Sequence, residues 1–343
     1  MMTLRQFAAK PESIPTLTSW YIADLSEARG RQELFTKQSP QKLKVWREHA
    51  IVESAVSSNR IEGVTIEQSR IATVVFGKSR VRDRSEEEIR GYRDALNLIH
   101  SKGSKLPISE ETLKHLHSLC RTHEGDAGEY KAKDNDIIET SLDGRVRLRF
   151  KAVSAKDTPE AMRQVIENWN ACLRERWVHP LIALAALNLD FLCIHPFRDG
   201  NGRVSRLLLL LSCYHLGYEV GKFISLERLI EENKERYYET LEQGSQGWHE
   251  GKHDAWSFIN FTLFILKSAY KEFEDRIGQI HSPKGAKTEM VTEAITRLSN
   301  PFRVADIQRA APSVSLDMIR RVLKNLRAES KVECLGRGQN AHW

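Results

Sequence analysis

Apolar residues recur at every third or fourth position along most of the 343-residue chain, the spacing typical of amphipathic helices. Five stretches show it, at residues 39–58, 86–103, 109–125, 158–176 and 256–280. Ser39-Pro40 is a suitable start for the first helix, and Gly103 is a suitable end for the second. The pattern therefore predicts a mainly α fold.

One segment departs from the helical pattern. Residues 136–150 read DIIETSLDGRVRLRF, with β-branched and alternating residues on both sides of Asp143-Gly144. An Asp-Gly pair between two such runs predicts a β-hairpin. Two interpretations stay open at this point: a lid or docking edge that pairs with an incoming strand, or a hairpin without a binding role.

The C-terminal part has its own organisation. The segment 280–287, with its Pro and Gly, predicts a domain boundary, and residues 284–343 carry eleven Lys or Arg against six Asp or Glu. Three short helical patterns and then a strand–turn–strand pattern predict a winged helix-turn-helix domain over 285–343. Its third helix carries four basic residues, Arg320, Arg321, Lys324 and Arg327. DNA is a candidate partner, although such modules also bind proteins, and a merely basic, solvated surface is an alternative.

Composition excludes several classes of protein. With 41% hydrophobic and 29% charged residues the chain can form a globular core, and no apolar run approaches the roughly 20 residues of a membrane span. The start lacks the apolar core of a signal peptide, so we expect a cytoplasmic protein without membrane contact. The five scattered cysteines are expected to be small buried side chains rather than disulfides or metal ligands.

Other polar clusters are expected to be structural. The HEGKH run at 249–253 lies in a Gly-rich connector, where its two histidines would not share a helix face as zinc binding requires. His115, His117 and His123 lack ligand partners at suitable spacing, so packing or solvent exposure is expected. The charged positions between Arg80 and Arg93 are expected to form a solvated helix surface.

A polar loop interrupts two aliphatic runs. HPFRDGNGR, residues 195–203, follows the run 181–194 and precedes a second one that begins at Val204. Gly200, Asn201 and Gly202 are expected to allow positive φ and a close approach of backbone amides to a ligand. With the start of a helix near Gly202, these residues predict an anion site suited to phosphate.

The charged residues of this loop complete a possible reaction centre. Arg203 and Arg206 lie on adjacent faces of the first helical turn, where both can reach a polyphosphate. Asp199 is a candidate ligand for Mg²⁺, and His195 is the one group here that titrates near neutral pH. The residues predict attack by a hydroxyl, with His195 as base, on a metal-bound phosphate.

HPFRDGNGR is identified as the Fic motif, His-Pro-Phe-x-(Asp/Glu)-Gly-Asn-Gly-Arg, with Arg206 as the arginine that follows it. The resemblance covers roughly residues 40–280. It implies a Fic helical core with a β-hairpin flap that docks the target, and the activity of a protein adenylyltransferase, which transfers AMP from ATP to a side-chain hydroxyl. Gly202 favours nucleotidyl transfer, because the kinase-like branch of the family has Lys there.

The resemblance also implies a role for each motif residue. His195 would deprotonate the target hydroxyl, Phe197 would anchor the loop, and Asp199 would bind Mg²⁺. The amides of Gly200, Asn201 and Gly202 would hold the phosphates, with Arg203 and Arg206 toward the β/γ end. YYETL, starting at Tyr237 and Tyr238, resembles the stretch that lines the adenine pocket.

A second family pattern lies upstream. SSNRIEG, residues 57–63, places Ser58 four positions before Glu62-Gly63, matching the inhibitory pattern (Ser/Thr)-x-x-x-Glu-(Gly/Asn). The resemblance implies that Glu62 pairs with Arg206 and takes the place of the γ-phosphate. The predicted domains are an N-terminal helical region with this inhibitory helix (1–100), a Fic catalytic core (101–280) and the winged-helix domain (285–343).

Three functions remain open on the sequence. The first is an autoinhibited transferase that uses ATP and Mg²⁺ and modifies a Ser, Thr or Tyr hydroxyl of a target protein, and also itself. The second is a nucleotide-sensing regulator that binds DNA through the C-terminal domain. The third is a hydrolase that removes AMP from a modified protein at the same site. A homodimer is expected from the resemblance.

Overall fold

The structure is a computed structural model. It describes residues 2–9, 13–38, 40–77, 80–121, 125–140, 146–279, 286–298, 301–336 and 341–343. Its α-helices are α1 (Thr3–Ala9), α2 (Thr16–Gln38), α3 (Pro40–Ile61), α4 (Ile71–Phe76), α5 (Arg84–Lys102), α6 (Glu110–Cys120), α7 (Thr158–Glu175), α8 (Pro180–Ile194), α9 (Asn201–His215), α10 (Leu226–Glu232), α11 (Lys234–Ser245), α12 (Trp256–Gln279), α13 (Ala286–Arg297), α14 (Val304–Ala310) and α15 (Leu316–Ala328). The strands are β1 (Ile137–Thr140) and β2 (Val146–Phe150).

The predicted helices are confirmed, and their ends have local causes. Helix α5 begins where the Asp83 carboxylate accepts the Glu86 backbone N–H, and it ends at Gly103, whose φ is +54°. Helix α6 begins where Ser109 accepts the Thr112 N–H, and it stops at Cys120, earlier than the apolar pattern suggested. The start predicted at Ser39 lies outside the described residues, and the described helix begins at Pro40.

Helices α8 and α9 form the centre of the molecule. From Leu181 to Ile194 every residue of α8 is buried, so this helix touches neighbours on all sides. The Asn188 side chain donates to the Ser205 carbonyl at 2.7 Å and accepts from the Ser205 hydroxyl at 3.1 Å, which joins α8 to α9. The loop between the two helices is therefore held at both ends by a rigid core.

The hairpin predicted at 136–150 is present as an antiparallel pair, β1–β2, in which Ile138 lies opposite Leu148. Its turn at Asp143-Gly144 lies outside the described residues. The register has an irregularity between Ile137 and Ile138. The Ile138 and Leu148 side chains are 58% and 55% exposed, so this face of the hairpin is apolar and solvent-facing.

Helices α1 and α2, which fall within the predicted N-terminal helical region, pack on the core. The Asp190 carboxylate of α8 accepts the Thr3 and Leu4 backbone N–H groups at 2.8 and 3.3 Å, and it also accepts the Thr3 hydroxyl and the Trp248 indole N–H. A buried carboxylate thus satisfies the free amides at the start of α1. Burial raises the pKa of Asp190, although these donors oppose the shift.

The C-terminal segment has the three predicted helices, α13 to α15. The described residues after them pair as short bridges, with His342 opposite both Arg303 and Leu335. The predicted boundary at 280–287 falls mostly outside the described residues. The segment contacts the body at α3, where Ser313 Oγ lies 2.6 Å from His49 Nδ1. All four basic side chains predicted on α15 are exposed.

The expectation of a solvated surface between Arg80 and Arg93 is wrong for two acids. Glu86 and Glu88 are only 2% and 6% exposed, because each pairs with arginines from other elements, such as Arg70 and Arg203.

Four of the five cysteines are buried, as expected, and all five are free. No described helix is long and apolar enough to cross a membrane.

Candidate active site

The motif loop has strained backbone at two positions. His195 caps α8 in the left-handed region, with φ +52°, and Gly200 precedes α9 at φ +84°. The expectation of positive φ at Asn201 and Gly202 is wrong, because both already belong to the right-handed helix α9. For Gly202 the requirement is space: a β-carbon there would overlap the Glu62 carboxylate.

Asn201 and Phe197 fix the shape of the loop. The Asn201 amide accepts the Phe197 backbone N–H at 2.9 Å and donates to the Phe197 carbonyl at 2.7 Å. The Phe197 ring is fully buried and stacks on His117, with ring centroids 3.9 Å apart. The backbone of the loop is thus set by buried contacts before any ligand arrives.

His117, for which packing or solvent exposure was expected, is buried and also bonds the loop. Its Nδ1 accepts the Gly128 N–H at 2.9 Å, so Nε2 carries the proton and donates to the Asp199 carbonyl at 3.0 Å. Burial lowers the pKa of His117, which favours this neutral form. The signal in the sequence was weak, since a histidine on an apolar helix face is usual in a core.

Glu62 lies at the N-terminus of α9. Helix α3 ends at Ile61, and Gly63, with φ +81°, turns the chain away directly afterwards. Glu62 Oε1 accepts from Arg206 Nη2 at 2.7 Å, and its carboxylate rests against Gly202. A carboxylate is thus placed where the unpaired amides of the helix favour an anion.

Arg206 is buried and bonds Ser58 of α3 and Glu62, which follows that helix. Its Nε donates to the Ser58 hydroxyl at 2.8 Å, and its Nη2 donates to the Ser58 carbonyl at 2.9 Å as well as to Glu62. Burial alone would lower the pKa of Arg206, but the Glu62 carboxylate outweighs that effect and the pKa is raised. The predicted pair of Glu62 and Arg206 is therefore in direct contact, and Ser58 of the same pattern also bonds Arg206.

Asp199 and Arg203 belong to a second charged cluster. Asp199 Oδ2 lies 2.5 Å from Arg121 Nη1, and its Oδ1 lies 3.6 Å from Arg203 Nη2. Arg203 Nη1 in turn lies 2.8 Å from Glu88 Oε2. Burial alone would raise the pKa of Asp199, but Arg203 and Arg121 outweigh it, so the pKa is lowered and the carboxylate is charged at neutral pH.

His195 is a neutral imidazole at physiological pH. Burial, assisted by the positive charge of Lys131, lowers its pKa to about 4, while Glu62 and Asp199 act in the opposite direction. Lys131 lies just before the hairpin, and its backbone N–H donates to the Pro196 carbonyl at 2.9 Å. A neutral ring can accept a proton, which a general base requires.

A cavity of about 340 Å³ opens beside this ring. It is lined by residues of the motif, the hairpin and α11, among them His195, Glu62, Gly202, Phe150, Tyr237 and Tyr238. Tyr237 is buried against Phe258 and Phe261, whereas the Tyr238 ring lies under the Arg149 guanidinium. Arg203 and Arg206 do not line the cavity, because protein carboxylates already hold both side chains.

The fit of the site to magnesium and a nucleotide follows from these positions. Asp199 is a hard oxygen donor whose side chain is 52% exposed, and it stands next to the glycine-lined start of α9.

Among the described residues no cluster of three or more His, Cys, Asp or Glu could hold a metal. In particular, His249 bonds the Lys151 carbonyl while His253 contacts Thr3, so the HEGKH histidines diverge as expected.

The Fic/DOC family model matches residues 107–213, which contain α6, the hairpin, α7, α8 and the motif loop. This region, rather than the whole chain, is therefore assigned to the Fic/DOC family. Over 199 residues it is 26% identical to the protein adenylyltransferase Fic of Nematostella vectensis, a match that covers 55% of this chain and 42% of that relative. The match thus spans less than half of the relative's length, and the homology is distant.

Solved structures share the fold. A Fic family protein from Desulfovibrio desulfuricans superposes with a TM-score of 0.63 at 21% identity, over 97% of this chain and 96% of that one. Fic-1 from C. elegans superposes with a TM-score of 0.60 at 18% identity, over 77% of this chain and 74% of the other. The mainly helical Fic fold with its two-stranded hairpin is therefore established for this chain.

Proposed function

We propose that this protein transfers AMP from ATP to a hydroxyl of a protein side chain, and that Glu62 holds it inactive at rest. The observation that carries the proposal is the Glu62 carboxylate bonded to Arg206 at the N-terminus of α9. An anion is thus already bound where the motif is suited to phosphate. The adenylyltransferase name of the distant N. vectensis relative supports the same activity.

The chemistry follows from the positions of the side chains. The neutral His195 ring takes the proton of the target hydroxyl, the oxygen bonds the α-phosphorus, and pyrophosphate leaves with the electrons of the broken P–O bond. The amides of Gly200, Asn201 and Gly202 orient the phosphates. Asp199 would hold Mg²⁺, which would supply positive charge against the phosphate oxygens.

Binding of ATP and binding of Glu62 exclude each other in this scheme. Ser58 accepts two of the Arg206 N–H groups, and Glu62 occupies the direction from Arg206 Nη2 toward the N-terminus of α9. The β/γ-phosphates would take that direction only after Glu62 leaves. The Glu62 side chain is 31% exposed, so it can leave without disrupting the core.

The proposed activity is tested with α-labelled ATP and Mg²⁺. We expect weak labelling of protein by the parent, strong labelling by Glu62→Gly, and none by Glu62→Gly with His195→Ala. Glu67→Gly is the matched control, since Glu67 is exposed and outside the site. Equal labelling by the parent and Glu62→Gly contradicts autoinhibition, and labelling without His195 contradicts the mechanism. Loss of label from premodified protein, in place of its gain, would indicate AMP removal.

The hairpin is suited to docking the target. Ile138 and Leu148 form an exposed apolar pair beside the cavity, and strand edges bind extended peptides through backbone hydrogen bonds. Replacing Leu148, which does not line the cavity, by Ser should lower labelling of the target without changing the affinity for ATP. Leu335→Ser is the control, because Leu335 is equally exposed and lies in the C-terminal segment.

A DNA-binding role for the C-terminal segment is proposed separately. Arg320, Arg321, Lys324 and Arg327 are all exposed on α15. Duplex DNA affinity should fall with rising salt, and Arg321→Ala with Lys324→Ala should weaken it and flatten the salt dependence. If the parent shows no salt-dependent binding, the segment binds protein instead.

A further inference from the structure

We propose that Arg121, supported by Glu88, is a positioning residue for the metal-binding carboxylate and changes partners as the divalent cation binds. At rest it holds Asp199; when the cation takes Asp199, Arg121 pairs with Glu88. The inference rests on the proposed function, because that function assigns the cation to Asp199. Neither Arg121 nor Glu88 belongs to the motif.

The geometry places one guanidinium nitrogen between two carboxylates. Arg121 Nη1 lies 2.5 Å from Asp199 Oδ2 and 3.4 Å from Glu88 Oε1. The shift from one partner to the other is therefore small. Helix α5 carries Glu88, and Arg121 directly follows α6. Neither helix needs to rearrange for the exchange of partners.

Burial decides which partner can leave. The Arg121 and Glu88 side chains are 4% and 7% exposed, whereas Asp199 is 52% exposed. Leaving a buried guanidinium without an anion would be strongly unfavourable. Because Glu88 stays beside it, Arg121 can release Asp199 without that penalty.

Glu88 also contacts two further arginines, Arg203 and Arg84. Its Oε2 lies 2.8 Å from Arg203 Nη1, and its Oε1 accepts from Arg84 Nε at 2.8 Å. Arg84 and Arg203 each lie 3.6 Å from Asp199 as well. Three arginines thus surround Asp199 and Glu88, and a cation that binds Asp199 competes with their positive charge.

The test measures Mn²⁺ binding without nucleotide, by electron paramagnetic resonance, in the full chain carrying Glu62→Gly. Arg121→Met removes the competing charge and should tighten Mn²⁺ binding by at least about fivefold, the effect of one unit charge at about 4 Å in a water-like medium. Arg121→Lys should stay close to the parent. Glu88→Gln strengthens the hold of Arg121 on Asp199 and should weaken Mn²⁺ binding.

Mn²⁺ affinity should rise in Arg121→Met and fall in Glu88→Gln. These opposite changes distinguish a positioning role from simple support of the fold. If Arg121→Met leaves Mn²⁺ affinity unchanged or weakens it, the inference is overturned, whatever the transfer activity. If Arg121→Met does not fold, the Glu88→Gln titration decides alone: tighter or unchanged binding contradicts the exchange. The Mg²⁺ concentration for half-maximal AMP transfer should fall in a variant that binds Mn²⁺ more tightly and rise in one that binds it more weakly. Because the Mn²⁺ titration involves no transfer, failure of the proposed activity is recognised separately.

Discussion

Neutralising Glu62 without shortening it isolates the contribution of its charge to the resting state. In Glu62→Gln the side chain keeps its length, and Arg206 keeps both hydrogen bonds to Ser58. What is lost is the charged partner 2.7 Å from Arg206 Nη2. ATP binding in the parent must first break that contact, so the variant should bind ATP more tightly.

The size of the effect follows from the type of contact. A hydrogen bond between charged groups contributes about 1.5–3 kcal/mol. The Glu62 side chain is 31% exposed, and screening by water favours the lower part of this range, about 1.5–2 kcal/mol. Since 1.4 kcal/mol corresponds to a factor of ten, ATP affinity should rise about 10- to 30-fold.

Isothermal titration calorimetry with MgATP measures this difference directly. Glu67→Gln serves as the control, because it removes the same charge from an exposed position. In an Arg206→Ala background, Glu62→Gln should add little, since the contact is already absent. An ATP affinity within twofold of the parent would refute the competition between Glu62 and phosphate, and an equal gain in both backgrounds would refute Arg206 as its cause.

Three further predictions concern pH, the loop and the helix packing. His195 must be neutral to act as base, and burial lowers its pKa to about 4. The kcat/KM of Glu62→Gly should therefore decline only well below pH 6.5, as the ring becomes protonated. A decline centred at pH 6.5 contradicts the lowered pKa of the buried ring. Asn201→Ala leaves the buried Phe197 N–H without its partner, whereas the Phe197 carbonyl still accepts from the Asn135 amide, so the free energy of unfolding should fall by about 1–3 kcal/mol in denaturant titrations. Gly91→Ala places a β-carbon onto the Leu119 carbonyl and should lower Tm by several degrees, whereas Gly30→Ala, with open space, should not.

The sequence predicted the motif well because its chemistry is local. His195, Asp199 and the glycines lie within eight positions, and the spacing alone places them between two helices. The mistake at Asn201 and Gly202 arose because φ depends on where α9 starts, and it starts one residue earlier than expected. The role of Gly202 as space for Glu62 needs a residue 140 positions away and is invisible locally.

The supporting residues were missed for a related reason. Glu88 lies in a run of acids on an amphipathic helix, which is typical of a solvated surface. It is buried because α6 and α9 bring Arg121 and Arg203 against it. Charge patterns on one helix do not reveal partners on another, so buried ion pairs between distant elements are found only in the structure.

The charges of the described residues at the site support the proposed inhibition by a carboxylate. Four arginines meet there, Arg84, Arg121, Arg203 and Arg206, against three acids, Glu62, Glu88 and Asp199. With Glu62 in place the site has one excess positive charge, and its departure leaves two, which match the double negative charge of MgATP. Glu62 thus reduces the charge that attracts the nucleotide while it occupies Arg206. In the proposed scheme, the site becomes available to the nucleotide when this one side chain, which is 31% exposed, moves away.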